Sequence, residues 1–77
     1  MVKVNLAQMK SGEQGTVMAI NGGFGLKRRV EALGVRVGVN VKKISSQLMR
    51  GPITVQVGNT QVALGFGMAQ KIIVEID

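Results

Sequence analysis

Two runs of alternating apolar and polar residues, separated by only two residues, constrain the fold of this chain more than any other feature. Apolar side chains occupy positions 53, 55 and 57 in the first run and positions 62 and 64 in the second. A period of two places these side chains on one face of a strand. The intervening Gly58-Asn59 puts glycine at the first central position of a two-residue turn, which suits a type II′ turn. The segment therefore predicts an antiparallel β-hairpin.

Three further short apolar runs predict strands, and they cover residues 16–20, 39–48 and 72–76. In the middle run the apolar positions change parity after Val41, and Lys42-Lys43 lies at the break. One extra residue at that point, a β-bulge, would return the later apolar side chains to the same face. Small barrels bend their strands in this way, so the change of parity favours a barrel.

One segment has the periodicity of a helix rather than a strand. Leu26, Val30 and Leu33 stand at i, i+4 and i+7, which places them on one helical face. Gly34 follows directly and suits the left-handed conformation that ends a helix. Residues 65–70 predict a short helical turn. The sequence therefore predicts a mostly β chain: a small SH3-like barrel of about five strands, one short α-helix and a helical turn before the last strand.

The chemistry available to the chain is limited by four missing residue types. It contains no His, Cys, Tyr or Trp, so the usual general bases and the soft metal ligands are lacking. Its four acids, Glu13, Glu31, Glu75 and Asp77, are dispersed along the sequence. We therefore predict no enzyme activity, no catalytic residue, no cofactor and no metal ligand. Without a secretory signal or an apolar run of about 20 residues, the chain is expected to be cytoplasmic and not inserted in a membrane.

The net charge of +6 is the remaining chemical feature, and it favours anionic partners. For any single cation the simplest interpretation is a solvated surface charge. As a group, the basic residues on and after the helix, with two apolar neighbours, predict a docking surface. That predicted surface comprises Lys27, Arg28, Arg29, Arg36, Lys42, Lys43, Leu48, Met49 and Arg50.

Around the helix the sequence resembles the FeoA family, the ferrous iron transport protein A family with an SH3-like domain. Residues 25–38 read GLKRRVEALGVRVG, which is similar to the family pattern Gly-Leu-x-x-Arg-Leu-x-x-Leu-Gly-Ile-x-x-Gly, with Val30 where leucine is usual. The similarity continues through residues 51–53, 63–65 and 68–76. It also includes four earlier positions, Leu6, Gly12, Gly15 and Val17.

This resemblance implies an SH3-type domain over residues 1–77 and a role in bacterial ferrous iron uptake. FeoA-type proteins are cytosolic accessories of FeoB, a membrane iron transporter with a GTPase domain. The implied partner is therefore the cytosolic face or GTPase domain of such a transporter, with recruitment to the inner face of the membrane. Transition-metal binding is implied at the level of the family only, and no ligand is identified. The motif residues Leu26, Val30, Leu33 and Gly34 also have a purely structural interpretation, helix packing and helix stop, and this interpretation is preferred for all four.

Other functions remain open on the sequence alone. A basic SH3-like barrel that binds RNA is the main alternative, although only Phe24 and Phe66 could stack on bases. A metal-sensing role is suggested by iron-dependent repressors, whose C-terminal domain shares the fold, but no DNA-binding segment is present. Pairing of copies through an edge strand or through the Leu48-Met49 tip would make a homo-oligomer.

Overall fold

The computed structural model describes residues 2–46 and 51–76. Within them the chain is mostly antiparallel β-structure with two short α-helices and one 3-10 turn. The elements, in chain order, are β1 (Val2–Asn5), a 3-10 helix (Leu6–Gln8), β2 (Gln14–Ile20), α1 (Phe24–Ala32), β3 (Asn40–Ser46), β4 (Ile53–Val57), β5 (Thr60–Leu64), α2 (Phe66–Ala69) and β6 (Ile72–Ile76).

All six strands belong to one antiparallel sheet in the order β1-β6-β2-β3-β4-β5. Strand β6 therefore lies between β1 and β2, whereas β3, β4 and β5 follow one another as a meander. Strand β1 and the 3-10 helix are absent from the sequence prediction, which is why the structure has six strands rather than about five. Residues 2–5 have a polar residue at every second position, but a run of four residues is too short to distinguish a strand from an irregular terminus.

The predicted hairpin is confirmed. Strands β4 and β5 pair from Ile53↔Leu64 to Val57↔Thr60, and only Gly58 and Asn59 lie between them. Gly58 has a φ of +60°, which a two-residue hairpin turn requires at its first central position. The predicted bulge is confirmed as well, because the pairing of β3 with β4 shifts register between Lys43 and Ser45. A second shift lies between Val17 and Ala19 in β2.

The predicted helix and its glycine stop are confirmed, and hydrogen bonds explain the stop. The N–H of Gly34 donates to the carbonyl oxygen of Glu31 at 3.0 Å, and the N–H of Val35 donates to that of Val30 at 3.2 Å. Gly34 has a φ of +97°, so this is the Schellman arrangement. Val30 and Val35 are both fully buried, which adds the apolar contact that accompanies the motif.

The hydrophobic core is a single cluster that the sheet encloses. Val62 of one edge strand belongs to it, and the partly buried Val4 of the other edge strand packs against it. In a flat sheet of six strands these edges would lie about 24 Å apart, so the sheet must curve around its core. The buried apolar members are Leu6, Met9, Val17, Val30, Val35, Val41, Ile53, Val55, Val62, Leu64, Ala69, Ile72 and Val74.

Gly15 occupies a position in this sheet that has no room for a side chain. It is buried in β2 and pairs with Val41 of β3 on one side and with Ile76 of β6 on the other. A Cβ atom at this position would lie 2.5 Å from the carbonyl oxygen of Glu75 and from a methyl group of Val74. Glycine is therefore required here for space, because no backbone oxygen can move away as a flexible side chain would.

Candidate partner-binding surface

The exposed side of α1 carries three consecutive cations. Lys27, Arg28 and Arg29 are all exposed, whereas Val30 of the same helix is fully buried. Between the stems of Arg28 and Arg29 the small residues Gly25 and Ala32 leave a shallow, open depression. The helix thus presents a basic, weakly concave surface and packs only its opposite side against the core.

Phe24, the first residue of α1, is an exposed aromatic residue beside these cations. Its side chain is 75% exposed, and the guanidinium carbon of Arg28 lies 5.5 Å from the centre of its ring. This distance is within the range of a cation–π contact. Phe24 does not belong to the predicted docking surface, although its position in the sequence indicates that its side chain points away from the core. It is displaced from the 26, 30 and 33 apolar face, so a helix starting at residue 24 directs it away from the core.

The loop after α1 continues the same surface with one cation and two apolar side chains. Leu33 is 43% exposed and Val37 is 55% exposed, and the exposed Arg36 lies between them in sequence. The Nε–H of Arg36 donates a long hydrogen bond of 3.4 Å to the carbonyl oxygen of Glu31, which ties the guanidinium to the end of α1. The prediction that Leu33 packs on the inner face was therefore only partly correct, because the helix ends before it is fully covered.

Lys42 lies in a different part of the structure from the helix cations. It is exposed on β3 and lines a polar depression with Gln14, Asn40, Gln56 and Gly58, none of which belongs to α1. Its position gives this second site one positive charge among amide groups. We define the α1 and loop residues 24–37 that are exposed as the basic helix surface, and we treat Lys42 as separate from it.

Lys43 was predicted to belong to the docking surface. The structure corrects this prediction, because it buries the side chain. The side chain is 2% exposed, and its ammonium group donates to the carbonyl oxygens of Ala7, at 3.0 Å, and Met9, at 2.5 Å. The signal was present in the sequence, because residues 39, 41 and 43 alternate up to the bulge. Position 43 therefore shares the inner face of β3 with Val41.

Burial has an electrostatic consequence for Lys43. Desolvation lowers the pKa of this lysine below its usual value, and the carboxylate of Glu13 acts in the opposite direction. Lys43 thus fixes the segment after β1 to the inner side of β3, which is a structural task rather than a binding one.

The remaining predicted docking residues, Leu48, Met49 and Arg50, lie outside the described residues. Within the described ranges 2–46 and 51–76, no group of three or more His, Cys, Asp or Glu side chains is placed to hold a metal ion. No helix in those same ranges has the length and apolar character needed to cross a bilayer.

Comparison with known proteins shows which family the chain is similar to. The family model described as the FeoA domain matches residues 4–76. A curated relative from Methanocaldococcus jannaschii, named "Putative Fe(2+) transport protein A", is 36% identical over 70 residues, which is 91% of this chain and 83% of the relative. Both findings cover nearly the whole of the chain.

Solved structures agree with the sequence relatives. The crystal structure of an iron uptake regulatory protein, FeoA, matches with a TM-score of 0.91 at 28% identity and covers all of both chains. The zinc complex of Stenotrophomonas maltophilia FeoA, described as a procaryotic SH3 domain protein, has a TM-score of 0.78 at 24% identity and covers 94% of this chain and 89% of its own. The SH3-like architecture predicted from the sequence is thereby confirmed. Since the family model and the 36% identical relative both span almost all of its length, the chain belongs to the FeoA family.

Proposed function

We propose that the chain is a non-catalytic cytosolic accessory of ferrous iron uptake that binds the cytosolic part of a FeoB-type membrane iron transporter. The observation that carries this proposal is the basic helix surface, where α1 and the loop after it carry both exposed cations and exposed apolar side chains on a domain of the FeoA family. The iron-transport names of its relatives support the process, and the surface supplies a means of binding.

The end of α1 and the loop after it have the composition of an interface centre. Leu33 and Val37 offer apolar area that folding leaves uncovered, and Arg36 lies between them in sequence. Arginine is enriched among the residues that contribute most to protein–protein binding. The hydrogen bond of Arg36 to Glu31 restricts its side chain before a partner arrives, which reduces the entropy lost on binding. The cations at 27–29 add long-range attraction toward an acidic partner.

An NMR titration of labelled protein with the soluble GTPase domain of its cognate transporter tests this proposal. Amide shifts are expected to cluster on residues 26–37 and to weaken when the salt concentration rises, because exposed charges are screened. Titrations in the GDP-bound and GTP-analogue-bound states would show whether the contact depends on nucleotide. If no shifts arise in any nucleotide state, the proposed binding to this domain is wrong.

Matched variants locate the contact. Arg36→Gln is expected to weaken binding about tenfold, as loss of a central interface arginine does. Lys10→Gln, which removes the same charge from an exposed position outside the basic helix surface, is expected to leave affinity within about twofold. Equal losses in the two variants would mean that net charge, and not this surface, determines binding.

A further inference from the structure

Phe24 is the residue of the basic helix surface to which the proposed docking assigns no role. Among the described large hydrophobic residues that are exposed, it has the greatest exposed fraction, 75%. It stands at the opposite end of α1 from Leu33, a separation of nine residues or about 13 Å along a helix. An aromatic side chain held in water at a helix end has no role in the core, so a ligand for it is worth identifying.

The surroundings of Phe24 are cationic and free of bulky neighbours. At 100° per residue, Lys27, Phe24 and Arg28 fall within about 100° of the helix circumference, with the Arg28 guanidinium stacked on the ring. Gly22 and Gly23 precede the helix, both with positive φ, and Gly25 follows Phe24. The ring therefore projects from a segment without other large side chains, with positive charge on both sides.

The shape of this region suits a flat, fluid ligand better than a protein side chain. The depression beside Arg28 is shallow and open, so it offers no enclosed pocket for an anchoring residue of a partner. An anionic bilayer surface needs no pocket. Its phosphates attract lysine and arginine, and aromatic rings settle at the level of the headgroups.

We propose that the N-terminal end of α1 binds the headgroups of an anionic lipid bilayer, with Phe24 in the headgroup region and Lys27 and Arg28 on the lipid phosphates. This inference goes beyond the proposed function, because it requires no transporter. A basic residue close to an anionic membrane strengthens partitioning about fivefold, so Lys27 and Arg28 together amount to about twenty-fivefold. Such binding is weak alone, but it places the domain beside any partner that spans the membrane.

Sedimentation with lipid vesicles tests this proposal on the whole chain. Vesicles of phosphatidylcholine alone are compared with vesicles of equal parts phosphatidylcholine and phosphatidylglycerol, at low salt and at about 0.15 M salt. The protein is expected to sediment with the anionic vesicles only, and less at the higher salt. Glu31 falls between Lys27 and Phe24 on the helix circumference, so Glu31→Gln, which removes this negative charge, is expected to increase binding severalfold.

A matched pair of double variants separates the helix end from net charge. Lys27→Gln with Arg28→Gln is expected to lower partitioning about twenty-fivefold, the product of two fivefold losses. Lys3→Gln with Lys10→Gln removes the same charge from exposed positions outside the helix and is expected to change it less than threefold. Equal losses in the two pairs would overturn the assignment to α1.

Fluorescence tests the role of the aromatic ring directly. The chain has no Trp or Tyr, so Phe24→Trp introduces a single emitter at the proposed contact. Its emission is expected to shift to the blue with anionic vesicles, whereas Val2→Trp, at an exposed position on β1, is expected not to shift. Unshifted emission from Phe24→Trp would contradict insertion.

Anionic lipid and nucleic acid are both negatively charged, and one further binding assay distinguishes them. A short single-stranded oligoribonucleotide replaces the vesicles, since an exposed ring with arginine beside it also stacks on bases. Binding of the RNA without binding of anionic vesicles would overturn the lipid proposal in favour of nucleic acid. Neither outcome bears on docking to the transporter, because no transporter is present in these assays.

Discussion

Lys43→Met is expected to lower the free energy of unfolding by about 3 kcal/mol, since it removes two hydrogen bonds from a charged donor and leaves their acceptors without a partner. The acceptors are the carbonyl oxygens of Ala7 and Met9, which follow β1. In a domain of this size the loss corresponds to a fall in Tm of about 10–20 °C. Denaturation with urea, followed by circular dichroism, measures the change.

Lys42, the residue before Lys43, provides the control. Lys42→Met makes the same chemical change one position earlier on β3, where the side chain is exposed, and is expected to alter stability by less than about 0.5 kcal/mol. If both variants are as stable as the parent, water replaces the ammonium group at no cost, and the structural role given to Lys43 is wrong.

Gly15→Ala is expected to destabilise the domain by about 3 kcal/mol or to prevent folding, because the added methyl group would overlap a backbone oxygen of β6. Relief would need strands β2 and β6 to separate at the middle of the sheet, where each is paired on both sides. Thermal unfolding followed by circular dichroism measures the effect.

A second glycine shows that the effect comes from space and not from loss of glycine itself. At Gly67, inside α2, an added Cβ atom meets nothing within 4 Å. Gly67→Ala is therefore expected to stabilise the domain by about 0.5–1 kcal/mol, as alanine does in place of an exposed helical glycine. A Gly15→Ala protein as stable as Gly67→Ala would show that the sheet has room at residue 15.

Local patterns predicted most of the fold because each is written in a short stretch of sequence. The alternation around Gly58, the parity change at Lys42-Lys43 and the glycine after Leu33 each specify one element, and the structure contains all three. Strand β1 alternates apolar and polar residues over only four positions, and all of them are at least partly exposed, so its local pattern is weak. Its place in the sheet depends on pairing with β6, a distant segment that no local pattern reveals.

The surface was harder to predict because charge alone does not tell which side a lysine faces. Lys42 and Lys43 are adjacent and chemically identical, yet one is exposed and the other is among the most buried side chains. Phe24 shows the opposite error, since composition treats a phenylalanine as core material. In both cases the direction of the side chain follows from strand parity or helix phase, which is known only when the element boundaries are known.

The position of β6 between β1 and β2 divides the sheet into two halves with different folding demands. Strands β3, β4 and β5 pair with sequence neighbours, whereas Val2 pairs with Ile76 across nearly the entire described chain. Bringing β1 and β6 together closes a loop of nearly the whole chain, and the entropy of that closure is lost before any contact stabilises the pair. The meander is therefore expected to assemble first and β6 to dock last. Folding speed is then governed by the non-local half. Partial openings of the native protein are expected to begin at β1, an edge strand whose residues are all at least partly exposed, because β6 is paired on both sides and buries Ile72 and Val74.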